Sequence, residues 1–199
     1  MKLRNARSLG LLSFALLFLM GLSGCGYNSL QRQDEEVKGA WSEVENQYQR
    51  RHDLIPNLVA VVKGYAKHEE ETLTKVVEAR AKATQTNINV KDLSNAQAFN
   101  KFQQAEDGLS QALSRLMVVV EKYPDLKAND NFRDLQSQLE GTENRIAVAR
   151  KRYIDVVVIF NTAVRSFPTN LTAKFLLHME PKETFKAAAG SDQAPKVEF

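Results

Sequence analysis

The 199-residue chain has one cysteine, one tryptophan and five prolines. A single thiol excludes an internal disulfide framework and any cluster of thiolate metal ligands. The prolines fall at 56, 124, 168, 181 and 195 and leave long stretches unpunctuated. Nowhere do apolar and polar residues alternate long enough to make a strand. There is no Gly-rich phosphate loop and no G-x-S-x-G elbow. Charge of one sign is also scarce. The formal net charge is +3, but residues 1–24 hold three basic and no acidic residues, and the remaining 24 basic and 24 acidic side chains cancel. No basic excess is left to attract nucleic acid. The longest apolar run, Leu9 to Leu22, has 14 residues broken by Gly10 and Ser13. A transmembrane helix needs about 20.

That short run follows Lys2, Arg4 and Arg7 and ends in Leu22-Ser23-Gly24-Cys25. A basic start, a short apolar core and small residues before a cleavage point make a secretory signal peptide. Its ending resembles the lipobox of bacterial lipoproteins, in which the Cys becomes residue one and is lipidated on its sulfur and new amine. The expectation is a signal over 1–24, Cys25 as the lipidation site and a tether over 25–29. Two or more acyl chains hold a protein stably, at about 0.8 kcal/mol per buried methylene. The resemblance also implies a bundle facing the envelope or periplasm. Gly26 stands where an aspartate would retain the protein at the inner membrane, which favours the outer membrane where there are two. The competing possibility is an uncleaved signal anchor.

Downstream, the apolar residues keep a helical period. Phe99, Phe102, Glu106, Leu109, Leu113, Leu116, Val120 and Tyr123 are spaced alternately three and four apart, a heptad seam. So are Phe132, Leu135, Leu139, Thr142, Ile146, Ala149, Tyr153, Val156, Phe160, Ala163 and Phe167. Asn95 or Ser94 can cap the first of these helices, and Asn129 or Asp130 the second. Earlier, Val37, Trp41, Val44, Tyr48 and Ile55 form one stripe, and Leu58, Val62, Tyr65, Leu73 and Val76 another. Pro56 lies between them. Because proline costs about 3 kcal/mol inside a helix and is favoured at its first position, the first helix is expected to end near Arg51 and the second to start at Pro56. The spacing does run through Pro56 without a phase shift, so one kinked helix is the alternative. The expected fold is all-α, an antiparallel up-and-down four-helix bundle over 30–167. An apolar segment follows over 168–185, then a disordered tail over 186–199. Phe175, Leu176, Leu177 and Met179 could lie on a bilayer or fold over the open end of the bundle.

Several strings resemble the LemA family: Gly26-Tyr27-Asn28, Ala40-Trp41-Ser42, Arg50 to Leu58 (RRHDLIPNL), Tyr123 to Asn129 (YPDLKAN), Leu139 to Ile146 (LEGTENRI) and Phe160 to Pro168. The likeness runs from Gly26 to Phe185. It implies a membrane-anchored helical bundle and assigns no reaction. Other envelope proteins, or proteases of envelope quality control, are the partners it suggests. The chain departs from the family in having a lipobox where many relatives keep a longer membrane helix. It also departs at Phe175-Leu176-Leu177-His178, where a glycine-containing ending is expected.

Chemistry is sparse. His52, His68 and His178 each lack a Glu three residues before them, so the Glu-x-x-His pairs of di-iron bundles are absent. No metal and no cofactor are expected. Two charges do fall on apolar seams: Glu106 and Arg51. Isolated buried charges are prohibitive, so buried charges come paired. Either Glu106 meets a basic partner across the core, Arg51 or Arg145, or the seam frays there and Glu106 reaches solvent. Gly141, deep in a helix, is expected to mark a close helix–helix contact. The leading expectation is a non-enzymatic scaffold, anchored to lipid through Cys25 and binding another envelope protein. The alternative is a ligand-binding or enzymatic bundle with a polar site around Glu106, Arg51 and Arg145.

Overall fold

A computed structural model describes the backbone of residues 2–186 and the side chains of residues 26–186. Cys25 as a lipidation site and the tail beyond Lys186 lie outside the described side chains. The described residues are all-α, with six α-helices: α1 (Lys2–Tyr65), α2 (Glu70–Gln85), α3 (Ala96–Val120), α4 (Pro124–Ala128), α5 (Asp130–Arg165) and α6 (Thr169–Thr172). A 3₁₀ turn, Val90–Asp92, precedes α3, and a π-helical turn, Ala173–Leu177, follows α6. Among the described residues no helix is long and apolar enough to cross a membrane.

The expected break at Pro56 does not occur. α1 passes through it and ends only at Ala66-Lys67-His68-Glu69. A proline cannot donate to the carbonyl four residues back, which leaves His52 O unpaired. Arg80 of α2 supplies the missing donor, its Nε lying 2.7 Å from His52 O. The price of a proline inside the helix is thus offset from a neighbouring helix. The unbroken three-four spacing across Pro56 was the correct reading of this stretch.

α1 and α5 pack antiparallel along their length, and α2 packs against α3. Asn95 caps α3 by accepting from Gln97 N and Ala98 N, and Asn129 caps α5 by accepting from Phe132 N. Pro124 opens α4 at its first turn, where no backbone donor is missed. On α5 the buried stripe moves from the expected Val156 and Ala163 to Val157 and Val164. A straight helix of 3.6 residues per turn drifts against a strict heptad. Phe167, the expected last seam residue, is exposed.

Two hydrophobic clusters result. The one near Gly26 is aromatic and is built on Trp41, Tyr48, Phe99, Phe102, Tyr153 and Phe185. The distal one is aliphatic and is built on Ile55, Leu58, Val62, Leu73, Val76, Leu113 and Leu116, with Phe132 buried among them. α2 is too short to wall the aromatic cluster. Its place is taken by the extended segment 178–186, which folds back over the bundle and buries Phe185 against Trp41 and Phe99.

Gly141 does not mark a helix–helix contact. A Cβ there would meet nothing nearer than its own helix's Arg145 guanidinium, 3.6 Å away.

Candidate functional site: a buried charge layer

Between the two clusters lies a polar layer. α1 contributes Arg51 and His52, α3 contributes Glu106 and Ser110, and α5 contributes Thr142 and Glu143. Arg51 is 1% exposed and Glu106 2%. Arg51 Nη2 donates to the Glu106 carboxylate and, at 3.3 Å, to Glu106 O. Its Nη1 donates to Ser110 Oγ at 2.7 Å and to Glu143 Oε1 at 2.8 Å. Four of the five guanidinium donors are therefore used, and Nε has no partner among the described residues. The Arg51 guanidinium also lies 5.1 Å from the centre of the Tyr48 ring, within cation–π range. His52 Nε2 is 3.2 Å from Glu106 Oε1, so both carboxylate oxygens of Glu106 are engaged.

The electrostatics follow from burial and charge count. Burial works against the Arg51 cation, but the carboxylates of Glu143 and Glu106 outweigh it and hold the guanidinium above its ordinary pKa. Burial pushes the neighbouring Tyr48 phenol up to about 12, against the pull of Arg150 and Arg51.

Of the three residues singled out from the sequence, the structure brings Arg51 and Glu106 together and leaves Arg145 out. Arg145 is exposed and donates to Thr142 of its own helix at 3.0 Å, because its position on α5 points along the helix surface rather than into the layer. Sequence reasoning missed His52, Ser110 and Glu143. Ser110 lies one turn after Glu106, and His52 and Glu143 adjoin the seam positions Arg51 and Thr142. Adjacency to a seam charge was the available signal. His68 and His178 are exposed and distant from the layer in sequence. Among the described residues, no group of three His, Cys, Asp or Glu side chains could hold a metal ion.

The centre of the layer, Arg51, His52 and Glu106, is closed to solvent, while Glu143 at its edge is 45% exposed. A groove of about 280 Å³ between α3 and α5 reaches it at Ser110 and Glu143, but Arg51, His52 and Glu106 do not line that groove. A carboxylate held by both an arginine and a histidine, away from solvent, is not poised to exchange protons with a substrate. The Arg51–Glu106 pair fixes how α1 sits against α3, since sliding either helix would strand a buried charge, and the Arg51–Glu143 bond ties in α5 from the surface.

Fold and layer together define a long-helical bundle whose two cores meet at the buried Arg51–Glu106 ion pair. The LemA family model matches residues 40–199, and the chain belongs to the LemA family. It is 27% identical over 170 residues to Protein LemA of Metamycoplasma hominis, an alignment covering 82% of this chain and 74% of that one. It is also 27% identical over 183 residues to Magnetosome protein MamQ 1 of Paramagnetospirillum magneticum. Magnetosome protein MamQ of Magnetospirillum gryphiswaldense is 25% identical over 181 residues. These two alignments cover 83% of this chain but 66% and 65% of the relatives, so the chain spans about two thirds of their length.

Proposed function

We propose that this LemA family member is a non-enzymatic interaction module of the bacterial envelope, held to lipid through Cys25 and facing the periplasm. In this reading α1, α2, α3 and α5 are the four members of an up-and-down bundle, and the short helices are connectors. The observation that carries it is the closure of the charge layer. Arg51, His52 and Glu106 are buried, and the Glu106 carboxylate is held by both Arg51 and His52. The same cluster would have to be open for the alternative reading of a ligand-binding or catalytic bundle. The relatives' names, LemA and MamQ, state no reaction either.

The anchor rests on the basic start, the Leu9–Leu22 run and the Leu22-Ser23-Gly24-Cys25 ending. Gly26 in place of aspartate favours the outer membrane in a two-membrane cell. The test is crosslinking in living cells with mass spectrometry of what co-purifies, beside a Cys25→Ser variant and labelling with a palmitate analogue. Label on Cys25, and one envelope protein captured only when Cys25 is present, is the expected result. Capture of nothing but lipid and further copies of the chain would overturn the scaffold reading, and unlabelled Cys25 would overturn the anchor.

A further inference from the structure

Four large apolar side chains face outward at the end of the molecule beside Gly26. Phe167, Leu171, Phe175 and Leu176 are 77%, 48%, 66% and 60% exposed. They lie within ten residues, from the end of α5 through α6 and the π-helical turn. On the inner side of the same turn, Thr172 and Ala173 are buried and Leu177 packs on the aromatic cluster. The turn therefore has a packed inner side and an equally apolar outer side. Water gives no reason for the second, and contiguous exposed apolar surface marks a contact.

What covers it follows from its place. Gly26 sits so close to the start of α6 that a Cβ there would meet Thr169 Cγ2 at 3.0 Å. The uncharged run Leu9–Leu22 lies within α1 and ends just before Gly26 in sequence. Two exposed cations, Arg165 and Lys174, fringe the apolar side chains. With Leu171, Phe175 and Met179 they line a cleft of about 630 Å³, in which Glu180 is the one acidic residue. Apolar side chains bordered by long cations suit the boundary of an anionic bilayer, where the apolar groups enter the acyl region and the cations stay among the headgroups.

We infer that this corner docks on the phospholipid bilayer itself, as a second membrane contact beside the N-terminal one. Phe167, Leu171, Phe175 and Leu176 enter the acyl boundary, and Arg165 and Lys174 meet anionic headgroups. The orientation rests on the anchored reading above. Two contacts at one corner fix the angle of α1 to the membrane, which a single anchor leaves free.

The test uses the full chain, reconstituted into vesicles of phosphatidylethanolamine and phosphatidylglycerol with or without brominated acyl chains. Phe175→Trp reports the corner, and Val118→Trp, 68% exposed on the last turn of α3 at the aliphatic end, is the control. Native Trp41 is fully buried and gives a constant background. Brominated lipid should remove about half or more of the Phe175→Trp emission, as expected for a side chain about 5–10 Å into the interface, and leave Val118→Trp unchanged. Equal emission from the two variants in chain that still co-floats with vesicles overturns the docking and leaves the anchor standing. Chain that does not co-float overturns both. A blue-shifted Phe175→Trp emission that ignores bromine, with a dimer mass, assigns the corner to a second copy and overturns the bilayer.

Discussion

The two ends of the bundle solve the same packing problem with different side chains. The aliphatic end is walled by α1, α2, α3 and α5 and closed by Leu126 of α4, helices that satisfy their own backbone groups and need only fill space. Leucine and valine suffice, with Phe132 the ring buried there. The aromatic end has three helices, Ile88 and Leu93 of the α2–α3 connector and an extended segment, and an extended segment has backbone groups that something else must satisfy. Side-chain amides do this in both directions. Asn161 donates to Lys182 O and accepts from Lys182 N, each at 2.8 Å. Gln103 donates to Lys186 O at 2.7 Å and accepts from Lys186 N at 3.1 Å. Tyr153 donates to Glu183 O at 2.9 Å, and Glu183 N donates to Leu93 O at 2.8 Å. Larger rings span the wider gap, with Trp41 meeting Tyr153 and Phe102 edge-on at 5.2 and 5.4 Å. Where a wall lacks a helix, the core becomes aromatic because rings combine bulk with a polar tip or a directional edge.

The largest effect should come from removing the ring on which the aromatic end turns. Trp41→Ala should cost about 4 kcal/mol. It should also release residues 178–186, seen as proteolytic cleavage there while α2 stays protected. Equal loss of protection at both ends would break the comparison. Next, Glu106→Gln should cost about 3 kcal/mol in denaturant unfolding by leaving the buried Arg51 with only the half-exposed Glu143 carboxylate. Here the two ends should lose stability together, because the layer seals both. Replacing Arg51 and Glu106 jointly by Met and Leu should recover most of the loss. Unchanged stability in Glu106→Gln would show that the ion pair fixes nothing.

Alkaline pH should separate the ends without mutation. Burial raises Tyr48 from 10.0 to about 12, and it raises Tyr153 as well. Each folded-state pKa lies above the unfolded one. The stabilisation is therefore complete below pH 10 and is lost as pH climbs from 10 towards 12. The aromatic end should open in that window, with a red shift of Trp41 emission ahead of any loss of amide protection in α2. The smallest expected effect sharpens the role of Pro56. Arg80→Met removes the donor to His52 O and should cost about 1–2 kcal/mol, with faster amide exchange confined to the turn of α1 around Pro56. A normal exchange rate there would mean that the helix needs no help to pass the proline.

The sequence reveals the aliphatic end better than the aromatic one, and for a physical reason. The seams of α3 and α5, and the caps Asn95 and Asn129, are local and periodic. The extended segment has no period, so its packing over Trp41 left no trace in hydropathy. Pro56 misled because its remedy, Arg80, lies on another helix. In the charge layer, Arg51 and Glu106 were visible as interruptions of apolar stripes. His52 and Glu143 were not, because they stand one position off those stripes and gain their meaning from tertiary contact. Arg145 looked equivalent to Arg51 by residue type and differs only in where its helix points it.

The extended segment also sets an order in time. A chain is made from its N-terminus, and residues 178–186 emerge after all four long helices. The aliphatic end, complete by Leu139, can close while synthesis continues. The aromatic end waits for Phe185, so the half of the molecule beside Gly26 is the half finished last.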